Sequence, residues 1–190
     1  MISAIGFNNL FFALNMSNTK YFIGLIFLTL NLNSVGQNTC GISVDTTRIL
    51  SDENLGAFIS DLKQDSFQTF IDKRQLPNFI KQQLHCLTKD KFSIANPNEE
   101  YRCCCTSSHK LPKRKLLFFS TSKDVLLITY LTGGNGVSTT ILILKFKADK
   151  VIDIWTGYGF AQFKSKAEVI HHLETKRKKA SGLHSGYVSI

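Results

Sequence analysis

Between Lys115 and Thr156 the apolar positions fall into four strand-length runs: Leu116–Phe119, Val125–Leu131, Ile141–Phe146 and Val151–Trp155. Each is rich in β-branched or aromatic residues and stops at a turn signal. The connections, Ser122-Lys123-Asp124, Thr132–Gly136 and Ala148-Asp149-Lys150, are too short to reach a parallel neighbour, so the spacing predicts an antiparallel meander. The last run alternates, with Val151, Asp153 and Trp155 on one side and Ile152, Ile154 and Thr156 on the other. The middle runs are apolar at consecutive positions, which requires cover on both faces. Thr156–Phe160, glycines among aromatics, reads as too irregular to prolong the last strand.

Helical spacing flanks this region. Ser51-Asp52-Glu53 offers a capping hydroxyl and two acids, followed by Leu55, Phe58, Ile59 and Leu62 on one face. Phe67, Phe70 and Ile71 continue that helix or begin a turn. Pro77 suits the first turn of a second helix lined by Ile80, Leu84 and Leu87. The two helices together are the natural cover for one face of the sheet. Asn96-Pro97-Asn98 is a turn, and Tyr101–Cys105 fits a short edge strand. Ser165-Lys166-Ala167-Glu168 is a capping box opening a last helix with Val169, Ile170 and Leu173 on its apolar side. The expected fold is α+β: a four-stranded antiparallel β-meander packed with two preceding helices and one C-terminal helix.

Residues 1–36 change the picture. They hold no acid and a single basic residue, Lys20, followed by an apolar stretch from Tyr21 to Leu30 and the small residues Ser34-Val35-Gly36. That is the layout of a cleavable signal peptide, 1–36, whose start falls at Met1 or Met16. The apolar core is about ten residues against roughly twenty for a spanning helix, so no stable membrane span is expected after cleavage. Residues 37–180 are expected to form a single α+β domain and residues 181–190 a flexible tail. The expected location is outside the cytoplasm, periplasmic or secreted. In export signal and general pattern the chain resembles small signal-peptide-bearing proteins of Gram-negative bacteria, a resemblance that supplies no site residue.

The formal charge is +9, falling to +8 when Lys20 leaves with the signal. Such a surface favours an anionic or protein partner. Positive charge gathers at Lys110–Lys115 and Lys176–Lys179, read as a solvated turn and a solvated helix end; neither is interleaved with stacking aromatics, so no nucleic acid is expected.

Export makes disulfides the first expectation for Cys40, Cys86, Cys103, Cys104 and Cys105. Adjacent cysteines pair poorly, so the expected bridges join Cys40 or Cys86 to the triple run, with Cys103 and Cys105 as candidates there. The triplet with His85 or His109 departs from the spacing of zinc ligands, and no metal or cofactor is expected. A cysteine nucleophile would need His85, His109, His171, His172 or His184 as its base, but no local signature selects a pair, so no catalytic residue is assigned. Gly133–Gly136 precedes a strand rather than a helix, and so reads as a hairpin turn instead of a phosphate loop. With Gly134 and Asn135 at its tip, that hairpin and the aromatic segment Trp155, Tyr158 and Phe160 are the candidate rim of a binding groove, if those rings are exposed. Asp153 is expected to point outward.

These residues lead to an exported, non-catalytic binding or interaction domain, envelope-associated or toxin-neutralising. The alternatives are a thiol-dependent or hydrolytic enzyme using a Cys/His pair, and a structural subunit.

Overall fold

Seven consecutive residues of one strand, Val125–Leu131, are buried, because neighbouring strands flank it and helices close both faces. In the computed structural model the described residues are 40, 42–64, 66–88, 91–103, 110–133, 136–159, 162–177, 183–186 and 188–190. All belong to one unit, Thr39–Ile190. Among them are four helices, α1 (Thr46–Leu50), α2 (Leu55–Gln64), α3 (Asn78–Leu87) and α4 (Lys166–Arg177). Six strands form one sheet: β1 (Gln68–Phe70), β2 (Ile94–Ala95), β3 (Arg114–Thr121), β4 (Val125–Thr132), β5 (Ser138–Lys147) and β6 (Lys150–Gly159).

The α+β class stands, but the sheet has six strands where the hydrophobic pattern gives four. β3 to β6 pair antiparallel in chain order, with Ile128 opposite both Phe119 and Leu142. The outer edge of β3 carries the two additional strands. β1 runs antiparallel to its end, from Gln68 opposite Thr121 to Phe70 opposite Phe119, and β2 runs parallel to its start. The segment read as a helix extension or a turn is therefore an edge strand, held also by a 2.7 Å Thr69–Ser120 hydroxyl contact. Tyr101–Cys103, the described part of the expected edge strand, is not one.

β6 also runs further than its composition suggests. Its glycines make room for rings: a Cβ on Gly157 would lie 2.5 Å from the Trp155 ring, and one on Gly159 would lie 2.3 Å from Phe163. Between β5 and β6, Ala148 and Asp149 both have positive φ (47° and 60°), the backbone of a type I′ turn. A bulge at Ile152 then breaks the alternation and leaves that side chain 56% exposed. Side chains blunt this edge: Asn54 Nδ2 donates to the Ile154 carbonyl, and the Ile154 amide donates to Asp153. Asp153 also accepts from Asn54 at 2.8 Å and from Arg48 at 3.2 Å, so it is half-buried and paired rather than outward-facing.

The helices preceding β3 do not share a face. Lys145 and Trp155 point to one side of the sheet, where Lys145 meets Asp61 of α2 at 2.7 Å. α4 packs on that side too, through Lys63–Glu174 at 2.6 Å and Lys166 Nζ donating to the Leu62 carbonyl at 2.7 Å. Phe146 and Tyr130 point to the other side, against Phe79 of α3 and Phe92. This three-layer arrangement covers both faces of the apolar middle strands.

Local chemistry explains most helix ends. Asp45 caps α1 by accepting from the Arg48 amide at 3.0 Å. Ser51-Asp52-Glu53 forms a turn before α2 instead of opening it, because Asp52 has φ 55°. At α4, Ser165 Oγ accepts from the Glu168 amide, and the Glu168 carboxylate reaches back to the Lys164 amide. Asp72, Lys73, Asn96 and Glu99 form a polar clasp that ties the β1 and β2 segments together.

Cys40 and Cys86 bond to each other, with Cα atoms 5.5 Å apart across 46 residues. This corrects the expectation that either would reach the triple run: the last turn of α3 returns to the start of the described chain. Cys103 is half-buried, and Cys104 and Cys105 lie outside the described residues. The disulfide is compatible with an exported protein. No helix among the described residues is long and apolar enough to cross a membrane. The expected signal segment lies outside the described residues.

Candidate functional site

The rim expected at the end of β6 divides. Gly134, Asn135 and Phe160 lie outside the described residues. Trp155 is fully buried, donates its indole N–H to Asp52 at 3.0 Å, and so belongs to the core. Tyr158 is half-buried; its amide donates to the Leu183 carbonyl, and its own carbonyl lies 3.2 Å from His172 Nε2.

Asp52 is the meeting point of three distant segments. One of its oxygens takes the Trp155 indole and, at 2.8 Å, His184 Nε2, while the Trp155 and His184 rings meet edge to face at 5.7 Å. A carboxylate orienting an imidazole is half of a catalytic arrangement. Here it also fastens part of the segment expected to be a loose tail. Leu183 is buried, Thr156 Oγ1 donates to the Ser189 carbonyl at 2.8 Å, and Arg114 Nη2 donates to the Ile190 carbonyl at 2.6 Å. Arg114 is itself buried, its guanidinium 4.8 Å from the Phe92 ring centre, so this member of the Lys110–Lys115 cluster is a packed cation and not part of a solvated turn. The disulfide removes Cys40 and Cys86 as thiol nucleophiles.

Two clefts remain. One, of 450 Å³, lies on the α3 side among Val44, Leu87, Lys113, Arg114 and Val188. The other, of 530 Å³, is lined by Ile59 of α2 and by His171, Glu174, Thr175 and Arg177 of α4. These α4 residues recur at three- and four-residue steps, which places them on one helical face. Glu174 is neutralised by Lys63 at 2.6 Å. Arg177 is exposed, and no described residue forms an ion pair with it; its guanidinium rests against Gly56, where a Cβ would come within 2.9 Å of Nη1. His171 is exposed beside it, whereas its neighbour His172 turns to the sheet and packs edge-on to Phe163 at 5.1 Å. The cleft therefore offers positive charge, a hydroxyl and a paired carboxylate beside apolar surface.

Burial pushes the His172 imidazole below its ordinary pKa, and the charges of Lys176 and His171 add to this. Burial likewise raises the Tyr130 phenol to about 12. Hydrogen bonds from Arg74 hold Asp72 far below the usual carboxylate range. All three belong to structural contacts.

Sequence reasoning placed Lys176–Lys179 as a basic helix end but missed Arg177 and His171 as cleft residues. The only signal was the step of three and four residues from His171 to Thr175 on α4; Ile59 of the opposite wall, and Gly56 against which Arg177 rests, are more than a hundred residues away in the chain. No family model, curated protein or solved structure matches the chain.

Proposed function

We propose that this protein is an exported, non-catalytic binding domain whose partner is anionic. The observation that carries the reading is Arg177, an exposed residue whose guanidinium rests against Gly56 of α2 and which forms no ion pair with a described residue, in a chain of formal charge +9. A charged group on a defined wall recognises a ligand charge, while excess positive charge speeds its approach. The Cys40–Cys86 bridge suits an oxidising compartment.

The test is direct. The protein is expressed from its full gene in an exporting host, recovered, weighed by intact mass, and applied to immobilised anionic glycan, anionic vesicles and an uncharged control matrix. The reading expects a product beginning at Gln37 and salt-sensitive retention on an anionic support. Retention on none of them at low salt would overturn the anionic partner, and an uncleaved product in the cytoplasm would overturn export.

A further inference from the structure

We propose that the cleft between α2 and α4 is a subsite for one acidic unit of a glycan, with Arg177 as its charged contact and Gly56 as the residue that sets the position of Arg177. The proposal rests on the anionic-partner reading and narrows it to a place and a ligand class.

The lining decides the class. At 530 Å³ the cleft is of a size that holds small molecules. Among the described residues its apolar side chain is Ile59, which is 6% exposed and belongs to the core. The other described wall residues are His171, Glu174, Thr175 and Arg177, a set suited to sugar hydroxyls around a single negative group. Glu174, held by Lys63, can accept from a hydroxyl without repelling the ligand as a bare carboxylate would. Thr175 can donate or accept. The guanidinium offers paired donors to a sulfate or carboxylate.

Gly56 makes the placement specific. Arg177 Nη1 and Nη2 lie 2.9 and 3.0 Å from where a Cβ on Gly56 would stand. Any side chain there moves the guanidinium while leaving every charge in the molecule unchanged.

The test is calorimetric titration of the exported, disulfide-bonded protein with two probes. One is a sulfated heparin-derived hexasaccharide; the other is a hyaluronan hexasaccharide, whose only anionic groups are carboxylates. The probe that binds identifies the acidic group. Arg177→Gln is expected to weaken binding at least tenfold, Gly56→Ala at least threefold, and Lys150→Gln, an equal charge loss at the exposed start of β6, less than twofold. Arg177→Lys is expected to recover part of the loss, and unchanged thermal unfolding of each variant confirms that the fold is intact. Equal losses in Arg177→Gln and Lys150→Gln would overturn the subsite, as would wild-type affinity in Gly56→Ala. Failure of both probes on the wild type, with anionic vesicles retained, would overturn the glycan class but leave the anionic partner standing.

Discussion

The two faces of the sheet are closed by different chemistry. On the α3 side rings meet rings, Phe79 with Phe146 and Phe92 with Tyr130, and the cation Arg114 is buried among them. On the α2 and α4 side Trp155 is equally buried, but charged and polar clasps surround it: Asp52 with His184, Asp61 with Lys145, Lys63 with Glu174. Ring packing fills space in all directions. The 530 Å³ cleft lies on the side with the clasps, and a cleft of 450 Å³ lies on the α3 side.

If the second face is anchored by Trp155 and only trimmed by its clasps, Trp155→Ala should give the largest loss, about 3–5 kcal/mol in urea unfolding. A value below that of the clasp variants would break the contrast. Opening the Cys40–Cys86 bridge by a double Cys→Ser change frees a loop of 46 residues and should cost about 4 kcal/mol. Because the bridge fastens the end of α3, protection from hydrogen exchange should fall first on that side.

Asp52→Ala leaves the Trp155 indole and His184 without their acceptor and should cost about 2 kcal/mol. It should also loosen the segment 183–190, detectable as faster exchange at the Tyr158 amide, which donates to Leu183. Unchanged exchange there would mean that the carboxylate does not hold the segment.

His172 sharpens the comparison through pH. Its pKa is lowered in the folded state, so between that value and the ordinary 6.5 the unfolded chain binds more protons. Its contribution is present above pH 6.5 and is lost as the pH falls through that window, so His172→Gln should flatten the stability profile there. The smallest effect belongs to the β5–β6 turn. Ala148 sits at φ 47°, and Ala148→Gly should raise stability by about 0.5 kcal/mol, read as a small rise in Tm.

The sequence made β3 to β6 legible because each is a long apolar run with its own turn signals. β1 and β2 were not legible, since strands of three and two residues such as Gln68-Thr69-Phe70 exist only because β3 presents an open edge. The end of β6 was hidden by glycines whose purpose, room for Trp155 and Phe163, appears only in three dimensions. The same holds for Asp52, which reads locally as a helix opener and is instead held by partners 103 and 132 residues away. The cleft was illegible for that reason: Gly56 and Ile59 meet His171 and Arg177 only through the packing of α2 on α4. The expected export signal lies wholly, and the triple cysteine run partly, outside the described residues.

Amide chemical-shift mapping of the disulfide-bonded protein, titrated with the sulfated hexasaccharide, tests the division of labour between the two faces most directly. The account predicts shifts concentrated at Gly56, His171, Thr175 and Arg177, with the α3 side unmoved. Shifts centred on Lys113 and Arg114, or spread evenly over exposed lysines, would contradict it.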